Sequence, residues 1–412
     1  MVDRGYRGQP WSRDEASGPS KHRVLVVAQT PPPYHGQAIS TQRFLDGEYE
    51  GIELIPLRLS FSRSIGEVNR LVPRKFFHLF AVVGRILFWR LWHGVRVLYY
   101  LPSGNRRGSM YRDVLLLGAV RWFFPTIIFH FRSAGLSDLF ARLTLPEKIL
   151  FRLAYDRPAL GIQLSAENPP DAATVRAKRS VVVPNGLEDM ASAAGEEVPA
   201  RDGFNILYIG TVRESKGVMD LLRAFRLLAD HHSHVRLTIV GEFRRDSFRR
   251  AVRDYVVAEG LEGRVAITGP LYGEEKWARF READVLCFPS YFQNESFGNV
   301  MVEAMQFRLP VVATRWRASP TVVEDGGSGF LVEVRSPEAL AERLERLVLD
   351  PGLARSMGHR GRKRYEESFT VDHFGRNMER VILETLEPER VPRTPRGGGT
   401  ERAPSSSVKA EP

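Results

Sequence analysis

A chain of 412 residues with 43% hydrophobic and 26% charged side chains is long enough for two domains of ordinary size and has the balance of a globular protein that folds in water. Its one cysteine, Cys287, excludes a disulfide framework and implies a reducing, cytoplasmic setting. The net charge of +10 is concentrated: residues 23–185 hold 22 lysines and arginines against 11 acidic residues, whereas residues 204–386 hold 27 against 26. The first half therefore carries a basic face, suited to nucleic acid, an anionic membrane or an anionic acceptor. No nucleic-acid module with aromatics interleaved among basic residues is present, so nucleic acid is not an expected partner.

Residues 1–21 are polar, rich in Gly, Pro, Ser and both charges; they show no signal-peptide pattern and are expected to be disordered. The continuous apolar run over 23–29 (RVLVVAQ) predicts a strand buried in a parallel sheet. It opens into a loop, 30–41, stiffened by Pro31, Pro32 and Pro33, where Gly36 allows backbone to approach a ligand at the strand's carboxyl end. Residues 76–100 (FFHLFAVVGRILFWRLWHGVRVLYY) have the length of a membrane span, but Arg85, Arg90, His93 and Arg96 recur within them. A charge at mid-bilayer costs about 2.5–3.5 kcal/mol, so a helix to about residue 93 and a strand over 95–101 is the better reading. The Arg and Trp content of that helix suits either a membrane surface or a basic solvated face.

A helix over 112–122, a strand over 125–131 and a helix over 147–155 follow, then short strands over 159–164 and 180–183. The strand over 125–131 ends in His130, Phe131 and Arg132. Pro184-Asn185-Gly186 makes a turn, and the loose Ala/Gly/Glu-rich stretch after it suits a linker. The second half repeats the alternation: strands over 204–209, 235–240, 264–268, 284–289 and 310–314, then the segment 326–331 (GGSGFL), with helices over 218–231, 248–258, 275–282, 337–347, 355–368 and 372–386. Strand and helix alternating twice over predict two doubly wound parallel sheets facing a cleft. The expected boundaries are 22–186 for the first domain, 187–203 for the linker, 204–370 for the second domain and 371–388 for a closing helix, with a disordered tail over 389–412.

The stretch over 289–313 (PSYFQNESFGNVMVEAMQFRLPVVA) organises the rest. A strand delivers the chain into a polar loop, and a helix of about three turns follows, with Ser296, Phe297, Gly298 and Asn299 as its first turn. Free N–H groups and the positive dipole end of such a turn suit a phosphate. Glu295 stands before the helix and Glu303 eight residues on, about 2.2 turns at 3.6 residues per turn, so both carboxylates can face one mouth. An anion site beside two carboxylates that want hydroxyls describes a sugar nucleotide. The loop over 210–217 (GTVRESKG) is not a phosphate-binding P-loop, because Lys216 is followed by Gly217.

These residues, ESFGNVMVEAMQFRLPVVAT, resemble the E-x7-E region of the family 4 retaining glycosyltransferases of GT-B fold. The Pro184-Asn185-Gly186 turn and the Lys216-Gly217 loop resemble the same family, although Thr211 stands where its arginine usually follows the first glycine and Arg213 comes two residues later. The resemblance implies that Glu295 meets the donor sugar's hydroxyls, Glu303 the ribose, and Arg213 with Lys216 the departing diphosphate. It places the donor among Gly36, Gly210, Gly241, Leu271, Ser296, Phe297, Gly298, Asn299, Val300 and Glu303. His130 or Arg132 would take the place of the strand-end histidine that faces the reacting sugar. The implied activity is retaining transfer of a hexose-type sugar from a nucleoside diphosphate to a saccharide hydroxyl, as in bacterial polysaccharide assembly. No cofactor and no metal are expected, since the chain has no D-x-D sequence. The basic half and the 76–100 segment point to a lipid-linked acceptor on the anionic inner face of the membrane. A nucleotide-sugar epimerase of the same fold and a non-catalytic nucleotide-sugar binder are the alternatives.

Overall fold

The computed structural model describes residues 21–32, 36–59, 73–191 and 203–387. The expectations for residues 1–20, for Pro33 in the first loop, for most of the linker and for the tail lie outside these residues. In the first half the chain runs β1 (His22–Ala28), α1 (Gly36–Asp46), β2 (Ile52–Arg58), α2 (Pro73–Leu91), β3 (Val97–Tyr100) and α3 (Arg107–Val120). It continues through β4 (Thr126–Phe131), α4 (Leu136–Ala141), α5 (Leu145–Tyr155), β5 (Leu160–Gln163), α6 (Asp171–Thr174) and β6 (Arg179–Val182). The second half runs β7 (Phe204–Ile209), α7 (Val218–His231), β8 (Val235–Val240), α8 (Asp246–Ala258), β9 (Val265–Gly269), α9 (Gly273–Arg281) and β10 (Val285–Phe288). It ends with α10 (Asn299–Gln306), β11 (Val311–Thr314), α11 (Ser319–Val322), β12 (Gly329–Val332), α12 (Pro337–Leu349), α13 (Pro351–Ser368) and α14 (Val371–Leu386).

Each half builds one six-stranded parallel sheet, ordered β2-β1-β3-β4-β5-β6 and β12-β11-β10-β7-β8-β9. The apolar runs are continuous because both faces of each sheet are covered. In β1, Leu25 and Val27 join a core with α2, α3 and α5, while Val24 and Val26 join one on the opposite face. That second core contains Phe374, Met378, Val381 and Ile382, so α14 leaves the second domain and packs on the first sheet. Its apolar residues recur at helical spacing, and Thr370 caps its start by accepting from the His373 N–H.

The sequence reading has no strand over 52–58, where Pro56 interrupts an otherwise apolar run. The structure puts β2 at the edge of the sheet with Pro56 exposed, the one place where a missing N–H leaves no ladder bond unmade. Among the described residues no helix is long and apolar enough to cross a membrane. The helix expected within 76–100 is α2, and it belongs to a row: α2 packs beside α3, and α3 beside α5. Together they expose Phe80, Leu91, Trp92, Leu115, Leu145 and Ile149, between 54% and 79% accessible.

Candidate active site

In the second sheet β7 and β10 are neighbours although two strands separate them in sequence, and their loops meet at the carboxyl edge. There the strand order of the sheet reverses, which is where ligands of such sheets bind. The Tyr291 N–H donates to the Ser215 carbonyl at 2.9 Å, tying the two loops together. Gly217, at φ 70°, brings them closer still: a Cβ there would lie 2.1 Å from the Pro289 carbonyl oxygen. Lys216, one residue before, is thereby pressed over the second loop and donates to the Glu295 carboxylate. The Ser290 hydroxyl donates to the same oxygen at 3.2 Å, and the rings of Phe288 and Phe292 each lie 5.3 Å from the ammonium. Lys216 and Glu295 are each 14% accessible, so the pair is largely desolvated, and removing one partner would leave the other's charge uncompensated.

The helix expected to open at Ser296 begins three residues later. Gly298 adopts φ 77° as its N-cap, and α10 spans the eight residues Asn299–Gln306. Glu303 sits where its second turn begins and accepts from Lys276 of α9 at 2.7 Å. Lys276 itself lies 4.4 Å from the Trp277 ring. Glu295 and Glu303 are thus each matched to one lysine, at two levels of the same wall. Phe297 does not face the cleft: it is 1% accessible and packs edge-on against Phe369, because the turn before α10 drives it into the core. Val300 and Leu271 line the same core from its surface.

First-domain side chains hold the start of α10. The Ser296 hydroxyl donates to the Arg132 carbonyl at 2.7 Å, and Asn168 donates to the Ser296 carbonyl at 2.8 Å. Asn185 donates to Asn299 at 3.0 Å, and Arg132 donates to Asn185 at 2.9 Å. Arg132 is 5% accessible, and its Nε and Nη2 have no hydrogen-bond partner. Burial lowers its pKa, as expected of a guanidinium held away from water beside a helix start. His130, two residues earlier, is enclosed inside β4 and bonds through Nδ1 to the Tyr99 hydroxyl. Burial, and then the charge of Arg132, holds its pKa well below the usual histidine value. Of the two candidates at this strand end, Arg132 is the one that abuts α10, and His130 is corrected to an enclosed position.

Gly210 and Gly241 stand at the carboxyl ends of β7 and β8, where the Gly210 N–H donates to the Val240 carbonyl at 3.0 Å. Gly36 is the first residue of α1, with open space where a Cβ would stand. Arg213 does not join Lys216 on Glu295. Its guanidinium lies 4.4 Å from the Phe292 ring and turns into a cavity between the domains. Lys276 and Asn185 were not chosen from the sequence as site residues. Lys276 carries no local signal, since its partner Glu303 is 27 residues away.

Residues 194–364 match the family profile "Glycosyl transferases group 1". The chain carries a domain of that family. The glycosyltransferase domain so defined contains Lys216, Lys276, Glu295 and Glu303. Among curated relatives, a capsular polysaccharide biosynthesis glycosyltransferase of Staphylococcus aureus is 30% identical over 178 residues, 43% of this chain and 45% of that one. A phosphatidyl-myo-inositol mannosyltransferase of Mycobacterium leprae is 31% identical over 241 residues, 57% of this chain and 60% of that one. The chain thus spans about half the length of the curated relatives it matches. Solved structures extend the likeness over both domains. A sucrose-phosphate synthase of Thermosynechococcus elongatus, 19% identical, superposes with a TM-score of 0.66 over 89% of this chain and 100% of that one. Anabaena Alr3699/HepE, solved in complex with UDP and 17% identical, gives 0.67 over 88% and 100%. At such identities the likeness is one of fold, and the fold is GT-B.

Proposed function

We propose that this protein transfers a hexose-type sugar from a nucleoside diphosphate sugar to a hydroxyl of a saccharide acceptor, with retention of anomeric configuration and without a metal ion. The observation that carries the reading is the half-buried Lys216–Glu295 pair at the switch point of the second sheet, beside the start of α10 and above the Lys276–Glu303 pair. In transfer from a sugar nucleotide the anomeric carbon becomes cation-like while negative charge grows on the departing diphosphate. A donor diphosphate laid against α10 would take the Lys216 ammonium and the N–H groups at the helix start, which stabilise charge as it develops. Glu295 would then turn to the sugar hydroxyls, and Glu303 with Lys276 to the ribose. Arg132, with two unpartnered nitrogens, adds a cation from the first domain. Retention is inferred from the family likeness, and His130 is read as a structural residue.

For the acceptor we infer a lipid-linked saccharide at the cytoplasmic face of an anionic membrane. The exposed row on α2, α3 and α5 supports this: Trp92 at 79%, Leu145 at 73% and Phe80 at 72% accessible stand in a domain with twice as many basic as acidic residues. Relatives named for capsular polysaccharide biosynthesis and for the O-antigen chain support a saccharide acceptor.

The test is a donor panel. Full-length protein is mixed with UDP-, GDP-, dTDP- and ADP-sugars and with vesicles of phosphatidylglycerol carrying a bacterial lipid extract. Free nucleoside diphosphate, sugar in the lipid phase and protein sedimenting with the vesicles are followed together. One donor giving all three signals is the expected result. Diphosphate release without lipid labelling would overturn the lipid-linked acceptor, and silence with every donor would overturn the transferase.

A further inference from the structure

The loops that hold Lys216 and Glu295 have a second side. There a cavity of about 540 Å³ lies between the domains, lined by Arg106 of the first and by Arg213 and Arg335 of the second. Arg213 is half-buried and Arg106 and Arg335 are exposed at the rim, and none of the three guanidinium groups has a carboxylate within ion-pair distance among the described residues. The walls are aromatic: Arg213 lies 4.4 Å from the Phe292 ring and Arg335 4.8 Å from the Tyr291 ring, with Trp316 beside them. Ser215, also on the wall, has a buried hydroxyl with no hydrogen-bond partner.

The approach of the first domain is built in. Gly104 leaves room for Ser133 and Asn294, which would stand 2.3 and 2.9 Å from any Cβ at that position. Asn105 reaches Gln293 across the cleft at 3.4 Å, and Arg106 follows it directly. Burial and then the charges of Arg244, Arg106 and Arg245 lower the Arg213 pKa, with Glu214 opposing them only in part.

We propose that this cavity binds an oxyanion, a phosphate or carboxylate carried by the acceptor saccharide, with Arg106 and Arg335 as its specificity-determining residues. Guanidinium forks match such oxyanions bidentately, and the aromatic walls suit the apolar face of a sugar ring. The proposal rests on reading the opposite side of the same loops as the donor wall, which the cavity adjoins without sharing Lys216, Glu295 or Glu303. It makes the acceptor an anionic glycan, so the reaction before this one must install a phosphate or an acidic sugar.

The test is binding, which needs no turnover and so can succeed or fail apart from the donor panel. Full-length protein saturated with UDP is titrated with glucose 6-phosphate, glucuronate and glucose in a calorimeter. The two anions are expected to bind about tenfold tighter than glucose. Arg106→Gln and Arg335→Gln are each expected to remove that preference while UDP affinity and thermal midpoint stay unchanged, and Arg335→Lys to restore part of it. Equal binding of the three sugars would overturn the proposal, as would displacement of the anions by UDP or a loss of UDP affinity in Arg335→Gln. UDP-glucuronate and UDP-glucose form the last arm. A preference for UDP-glucuronate that Arg335→Gln abolishes would also overturn it, because the oxyanion would then belong to the donor.

Discussion

The two sheets have six parallel strands each, yet their strand order reverses in different places. In the second, β7 lies beside β10, and the loops leaving those strands carry Lys216 and Glu295. In the first, β1 lies beside β3, and the loops leaving those strands carry Gly36 and Arg106. Both switch points face the cleft, but they are furnished differently. The second domain brings charges already matched, Lys216 with Glu295 and Lys276 with Glu303. The first brings cations left open, Arg106 at the cavity and Arg132 with two unpartnered nitrogens at α10, and Arg106 meets the equally open Arg213 and Arg335 of the second domain at the cavity. A wall of paired lysines and carboxylates can bind both a diphosphate and hydroxyls, the two ends of a sugar nucleotide. A wall of open cations recognises charge on whatever arrives opposite. In the proposed reading the paired wall takes the donor and the open cations between the domains take the acceptor.

The sharpest way to break that contrast is to unpair the donor wall. Lys216→Ala removes the ammonium from diphosphate and from Glu295 together. It is expected to lower kcat/KM by about 10²–10³-fold, the size of effect seen when one preorganised donor to developing charge is lost. UDP affinity should fall as well. Glu295→Ala should lose transfer on a similar scale while UDP affinity holds, because the carboxylate serves the sugar and not the nucleotide. Steady-state kinetics and UDP titration of both variants decide the matter. Equal loss of UDP affinity in the two would show that Glu295 does not have the part given to it.

A second change acts on the geometry and leaves the charges in place. Gly217→Ala forces a side chain into φ 70° and toward the Pro289 carbonyl, 2.1 Å away and part of the backbone. The conformation alone costs about 1–3 kcal/mol, and the clash must also part the β7 and β10 loops. We expect a urea midpoint shifted by at least that cost, with activity falling further than stability explains. Unchanged stability would mean that the two loops are not held as tightly as the distance implies.

The same contrast explains what could be read from the sequence. In the second half the strands 204–209 and 235–240 and the helix 218–231 coincide with β7, β8 and α7, because a strong apolar period is bounded by Gly210, Gly217 and Gly241. The Glu295 and Glu303 spacing was visible as well, since both stand on one loop-helix unit. In the first half β2 was missed because Pro56 argues against a strand unless the strand is known to be at an edge. The start of α10 was set three residues early, since nothing local says that Gly298 takes a positive φ. Lys276, Arg106 and Arg335 were beyond reach for one reason: each meets its partners only through the sheet order, across long stretches of chain. Arg213 was read as a partner of the diphosphate from its nearness in sequence to Lys216; in the fold both lie over the Phe292 ring, but only Lys216 reaches Glu295, while Arg213 lines the cavity.

The smallest expected effect tests the first half's other strand end. If His130 were a cleft residue it would titrate in water; enclosed in β4 against Tyr99, it stays neutral. Its folded pKa is depressed below the ordinary 6.5, first by burial and then by Arg132. The sign follows from proton counting. Above about pH 6.5 neither the folded nor the unfolded chain protonates this ring, so it adds nothing to the pH dependence. Below that value the unfolded chain takes up a proton that the folded protein refuses, and stability falls by up to about 1.4 kcal/mol for each further pH unit. Asparagine can keep a hydrogen bond to Tyr99 without titrating. His130→Asn should therefore be less stable than the parent at pH 7.5, for want of the ring, yet show a shallower loss between pH 6.5 and 5. Urea unfolding of both proteins at half-unit steps measures that difference in slope, and the remaining titrating groups cancel between them. Identical slopes would mean that the ring is open to protons, and His130 would return as a candidate for the reacting sugar.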